Sequence, residues 1–292
     1  MPIEKMLFDA YIIVDWSANS KPKLGKDSIW LAYHEHGTML ENVPTRSAAR
    51  ARVAQLLADG ASRSRRVLVG FDFPYGYPTG FAHALGLSDE PWRDVWRELA
   101  CLIDDRPDNS NNRWSAAAEL NARLGGGPGP FWNVPAARAC ASLTIAKQAF
   151  PCGELHEYRL VEQRLRASGR AVHSAWKLFT AGSVGSQALL GIPVLESLRS
   201  DAALADMSLV WPFETGSTTT PSPERGPFVV HAEIWPGVFP VDRTLHKVLD
   251  AAQVRGLAER FVREDASGEL CRRFEIDVDD ALLRDEGWIL GS

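Results

Sequence analysis

The alternation of apolar and polar positions gives the chain a β-rich start, a helical middle and a mixed end. Residues 11–14 (YIIV) are an unbroken apolar run that reads as a buried strand and stops on Asp15. Residues 28–37 (SIWLAYHEHG) read as a second strand. Residues 38–45 (TMLENVPT) read as a third after a tight turn at His36-Gly37, which makes an antiparallel meander. Residues 47–62 predict a helix with Ser47 as its N-cap, Val53, Leu56 and Leu57 as its apolar stripe, and Gly60 at its end. A fourth strand, Val67 to Phe71, runs into Asp72 and is stopped by Pro74, Gly76 and Pro78.

From about 81 to 208 the pattern is mainly helical, with helices expected over 89–105, 115–124 and 153–169 and after the small-residue loop at 178–186. Residues 105–113 (DRPDNSNNR) read as a mobile polar loop. Two further strands are expected, in 207–216 and 227–237. A helix over 250–265 and a short one over 277–287 follow. No internal repeat and no long linker interrupts this order, so one domain, 1–292, with a helical insertion at about 81–208 is expected. A meander followed by strand–helix alternation implies an α/β fold with a mixed sheet and helices on its faces. Right-handed crossovers leave few topologies, the ribonuclease H-like fold among them.

Composition changes this picture little. A formal net charge of −5 excludes a global basic field for nucleic acid, so any such surface must be local. No apolar run approaches the ~20 residues of a membrane span, and the N-terminal segment lacks a signal-peptide h-region. The cysteines at 101, 140, 152 and 271 are scattered without a Cys-x-x-Cys pair, which fits a reduced cytoplasmic protein with free thiols.

The acids carry the chemistry. Asp15 ends the first strand, Asp72 the fourth, and Glu233 lies near the end of a late strand; Asp279 and Asp280 open the last helix. If strands one and four are adjacent and parallel, Asp15 and Asp72 sit side by side. They then repel unless a cation neutralises them. Oxygen-only ligands select hard cations, so Mg²⁺ or Mn²⁺ is the expected cofactor. Gly182, Ser183, Gly185 and Ser186 precede a helix and, with Lys177 upstream, form a candidate anion loop. Arg159, Arg166 and Arg170 read as a solvated stripe or, with Trp114, Trp132 and Trp176, as a nucleic-acid surface. His231-x-Glu233 lacks the downstream Pro-Cys-x-x-Cys of a zinc deaminase, and neither "LGKDS" nor "GGGPG" completes a nucleotide-binding motif.

The segments "VDWSA", "GFDFPYGYP", "KLFTAGSVGSQALLGIP", "AEIWPG" and "DDALLRDEGWILG", in this order from Tyr11 to Gly291, resemble the bacterial DUF429 family, described as predicted nucleases of the ribonuclease H superfamily. The resemblance implies that Asp15, Asp72 and Asp280 hold two metals, with Glu233 as a fourth acid. The expected activity is hydrolysis of a phosphodiester bond in nucleic acid or in a phosphorylated small molecule. The long helical middle departs from a minimal ribonuclease H. A second reading is a non-catalytic ligand- or nucleotide-binding protein on the same fold. "DWS", Asp15 to Ser17, is compatible with the phosphate-binding turn of actin-like ATPases and sugar kinases, but those need two copies of the fold and the chain has one meander.

Overall fold

The computed structural model describes residues 6–87, 89–125 and 127–292. The first five residues of the N-terminal segment and Gly126 of the "GGGPG" turn lie outside them. The strands β1 (Ala10–Asp15), β2 (Ile29–His34), β3 (Thr38–Val43), β4 (Arg66–Phe71), β5 (Ser208–Trp211) and β6 (Phe228–Glu233) form one mixed sheet in the order β3-β2-β1-β4-β6-β5. The meander is antiparallel, and β1, β4, β6 and β5 run parallel to one another. The expected neighbourhood of strands one and four is present, with Val14 paired to Phe71 and the Asp72 amide donating to the Val14 carbonyl at 2.9 Å.

Side-chain alternation divides the core into two layers. Ile12, Val14, Val67, Val69 and Phe71 face a layer that includes side chains of α1 (Arg46–Ser62), α3 (Pro91–Leu102) and α6 (Val184–Arg199). Tyr11, Ile13, Leu68, Val230 and Ala232 face the opposite layer, where α7 (Leu249–Ala266) packs across β1, β2 and β3. Gly70 lets β4 and β6 approach, because a Cβ there would lie 2.6 Å from Ile234 Cγ2. The remaining helices are α2 (Phe81–Ala84), α4 (Arg113–Arg123), α5 (Leu160–Ala167), α8 (Leu270–Arg273) and α9 (Asp280–Glu286). Among the described residues no helix is long and apolar enough to cross a membrane. All four cysteines are free.

Three local expectations are corrected. The first helix is capped by Thr45, whose hydroxyl accepts from the Ala48 amide, so Ser47 lies inside it; the helix runs through Gly60 to Ser62. The middle is less helical than its polarity suggests: residues 139–159 form bends and isolated bridges, and α5 is confined to eight residues. The polar loop at 105–113 is anchored. Asn109 is buried and accepts from the Arg46 amide, while its own amide donates to the Lys21 and Pro44 carbonyls.

His231 is fully buried in β6, between Val69 and Val210, and neither ring nitrogen has a protein partner. Burial, assisted by Arg199, pushes its pKa down to about 3. Between that value and the ordinary ~6.5 the unfolded chain binds the proton and the folded chain does not, so this residue makes stability fall as pH falls through that window. His231→Leu should therefore flatten the acid limb of the melting-temperature profile. Its stability relative to wild type should improve by about 2 kcal/mol between pH 7 and pH 5, read by denaturant unfolding at the two pH values.

Candidate functional site

Strand parity determines which acids meet. On β1, Asp15 follows Tyr11 and Ile13 onto the α7 face; after β4, Asp72 follows Leu68 and Gly70 onto the same face. Both carboxylates are half-buried, and no described residue donates a hydrogen bond to either. Burial, then the Asp72 carboxylate, with Asp250 and Asp27 behind it, push Asp15 well above the usual carboxylate range. Asp72 is pushed up to about 7 by burial, Glu233 and Asp250. The pair is thus an electrostatic conflict fixed on rigid backbone.

The third acid is Asp250, in the first turn of α7. Its Oδ2 accepts from the Asp27 amide at 2.7 Å, which ties the loop after β1 to the helix. The resemblance implies that the helical acid lies on the later helix instead. Asp280 is exposed on α9, close to Gly216, and does not line the cleft that contains Asp15. Glu233 also departs from its expected role. It shares parity with Val229 and His231, yet it lines the hollow that contains Asp72 and is the charge that acts most on that carboxyl. Both its oxygens accept from Arg159, at 2.6 and 2.7 Å, and one also accepts from the Tyr75 amide.

Asp15 opens into a cleft of about 680 Å³ whose other walls include Ser17, Ser20, Arg113, Phe179, Ser183 and Ser186. Asp72 opens into a second hollow of about 60 Å³, with Glu233, Arg159 and Trp235, which shares no lining residue with the first. Arg46, fully buried, forms a bidentate pair with Asp105 at 2.6 Å and donates to the carbonyls of Ser17 and Asn19, so it fixes the turn that follows Asp15. The "GSVGSQ" loop does line the cleft, as α6 starts there. Three of its amides are already used: Gly185 donates to the Lys177 carbonyl, and Ser186 and Gln187 both donate to the Ser183 carbonyl. The Lys177 ammonium donates to the Ala181 carbonyl and is not part of the cleft wall. Gly185 is required by space, since a Cβ would meet the Ala175 carbonyl oxygen at 2.4 Å. The expected arginine stripe is broken up: Arg159 is buried, while Arg166 lies over Tyr158. Trp176 is fully buried in the aromatic cluster of Tyr77, Phe81 and Phe131.

Among the described residues no three Asp, Glu, His or Cys side chains converge closely enough to hold an ion by themselves. Two bare carboxylates nevertheless fit a hard cation, because Mg²⁺ commonly takes one or two protein carboxylates and fills its shell with water and substrate oxygens.

The repulsion has a measurable sign in a chelating buffer. A carboxyl whose folded pKa is raised binds its proton in the folded chain first, so the stability it allows at low pH is lost as pH rises from about 4 to about 7. Asp72→Asn removes that loss. It should stabilise the metal-free protein by roughly 1–2 kcal/mol at pH 8, discounted for partial solvent access, and change little at pH 4, as followed by urea unfolding.

Compared with known proteins, the chain matches no family model, no curated protein and no solved structure.

Proposed function

We propose that the protein is a metal-dependent phosphoesterase, acting on phosphodiester bonds, on a ribonuclease H-like fold. The observation that carries this reading is the pair Asp15 and Asp72: two half-buried acids on the carboxyl ends of adjacent parallel strands, with raised pKa values and no donor facing them. Carboxyl ends of parallel strands are where open α/β sheets bind ligands. The strand order, with an antiparallel meander at one side and β4 beside β1, supports the finer fold assignment.

Asp15 and Asp72 would hold Mg²⁺ or Mn²⁺, which supplies Lewis-acid stabilisation of a phosphoryl oxygen and an acidified water. The chain's own part is positioning. The strands fix the two carboxylates, Arg46 fixes the turn beyond Asp15, and Asp250 adds negative charge that favours a cation. His231 is buried among apolar residues and does not serve as a general base.

The test is a melting temperature in chelator and in Mn²⁺, joined to an assay of bis-p-nitrophenyl phosphate hydrolysis. At tenfold saturation wild type should gain about 1.4 kcal/mol, or about 2 °C. Asp15→Asn should gain nothing from Mn²⁺ and lose hydrolysis by at least a hundredfold. A wild type indifferent to millimolar Mn²⁺, or an Asp15→Asn protein that responds equally, removes the metal from this reading.

A further inference from the structure

Arg113 is the cleft residue for which neither the fold nor the acid pair accounts. It stands at the start of α4, 7 % exposed, and its side chain lines the same cleft as Asp15. Nη1 donates to Ser20 Oγ at 3.0 Å and to Asn111 Oδ1 at 2.9 Å. Nε is buried without a partner, and Nη2 donates to no acceptor among the described residues. No carboxylate is bonded to this guanidinium. Asp105, whose charge acts on it, is already engaged bidentately by Arg46. Two guanidiniums therefore share one carboxylate, and the unmatched positive charge is the one that faces the cleft. Burying an arginine with unused donors is costly unless something completes its hydrogen bonding.

The surroundings restrict what that could be. One face of the guanidinium is covered by the Trp114 ring, whose centroid lies 4.1 Å from Cζ. Trp114 in turn meets Phe179, an exposed aromatic on the cleft wall, edge to face at 6.1 Å. Ser183 caps no amide of α6, and its hydroxyl makes no hydrogen bond to a described residue, so it is a second free donor on the same wall. The acids Asp15, Asp27 and Asp250 also line the cleft, but the charges that act most on Arg113 are Arg46 and Asp105. The cleft thus has an acidic region and a separate basic one.

We propose that Arg113 is the anchor of a phosphate-binding subsite, which receives a phosphate of the substrate other than the one presented to Asp15 and Asp72. Nη2, which neither makes a hydrogen bond to a described residue nor is sealed from the cleft, is the donor that a phosphate oxygen would meet, as a charge-assisted bond. The proposal rests on the phosphoester reading of the same cleft and deepens it: the substrate carries at least two phosphate groups, or one phosphate beside the scissile ester.

The subsite needs no metal, which separates its test from that of the acid pair. Binding of inorganic phosphate, and then of pyrophosphate, is measured in EDTA by ³¹P line broadening and by melting temperature. Wild type should bind both. Arg113→Gln should weaken binding at least tenfold, and Arg113→Lys should retain part of it. Should Arg113→Gln fail to fold, Ser20→Asp provides the second variant: Ser20 is exposed and already touches Nη1, so a carboxylate there neutralises the guanidinium in place and should abolish phosphate binding. Asp15→Asn should leave phosphate binding intact while losing the Mn²⁺ response. Wild type that binds neither anion, or a folded Arg113→Gln or Ser20→Asp protein that binds as wild type does, overturns the subsite. A Mn²⁺ response without phosphate binding overturns the subsite alone, and phosphate binding without a Mn²⁺ response overturns the metal alone.

Discussion

The fully buried guanidinium of Arg159 ties together parts of the chain that are far apart in sequence. It forms a bidentate pair with Glu233 at the end of β6, donates to Glu162 one turn into α5, and donates to the Glu286 carbonyl at the end of α9. The acids then reach further. Glu233 accepts from the Tyr75 amide, and the Glu286 carboxylate accepts from Thr79 and from the Leu160 amide. Even so, burial pushes Glu162 up to about 6. Removing one member of such a buried network leaves a charge uncompensated, at a cost of about 3–5 kcal/mol. The backbone that follows Asp72, from Phe73 to Thr79, therefore has little freedom.

Arg46 does the same on the other flank, where it holds the turn beyond Asp15 through Ser17 and Asn19. The two arginine networks bracket Asp15 and Asp72 without neutralising them. Attraction at the flanks is strong enough to hold the repelling pair in place. Each arginine also spends its charge on acids other than that pair, so no protein cation neutralises it among the described residues.

Much of the fold was legible because its signals are local. The apolar runs at 11–14 and 67–71, the turn at His36-Gly37 and the order of elements locate the strands, and the adjacency of β1 and β4 follows from topology. The site was half legible. Asp15 and Asp72 follow from apolar runs that end on acids. Asp250 was missed because an acid in the first turn of a helix is an ordinary feature, and the resemblance drew attention to Asp280. Glu233 does lie beside Asp72, as its place at a strand end suggests, but the buried Arg159 that occupies both its oxygens leaves no mark in the sequence. Arg46, Arg113 and Arg159 could not be told from solvated arginines. Their burial is produced by partners 59 to 127 residues away, and no periodicity records contacts at that range. Asn109 shows the same limit, since a polar loop and an anchored one have the same composition.

The mutual repulsion of Asp15 and Asp72 also sets the direction of evolutionary drift. Functional groups often trade stability for activity. Here each acid opposes folding once the pH is high enough to ionise both and no cation is present, and replacing either one relaxes the sheet's end while both arginine brackets stay intact. A lineage released from selection for activity would therefore slide downhill in free energy toward a sturdier, inert copy of the same architecture. Retention of both carboxylates in a descendant would accordingly be informative, because only a continuing use for them resists that slope.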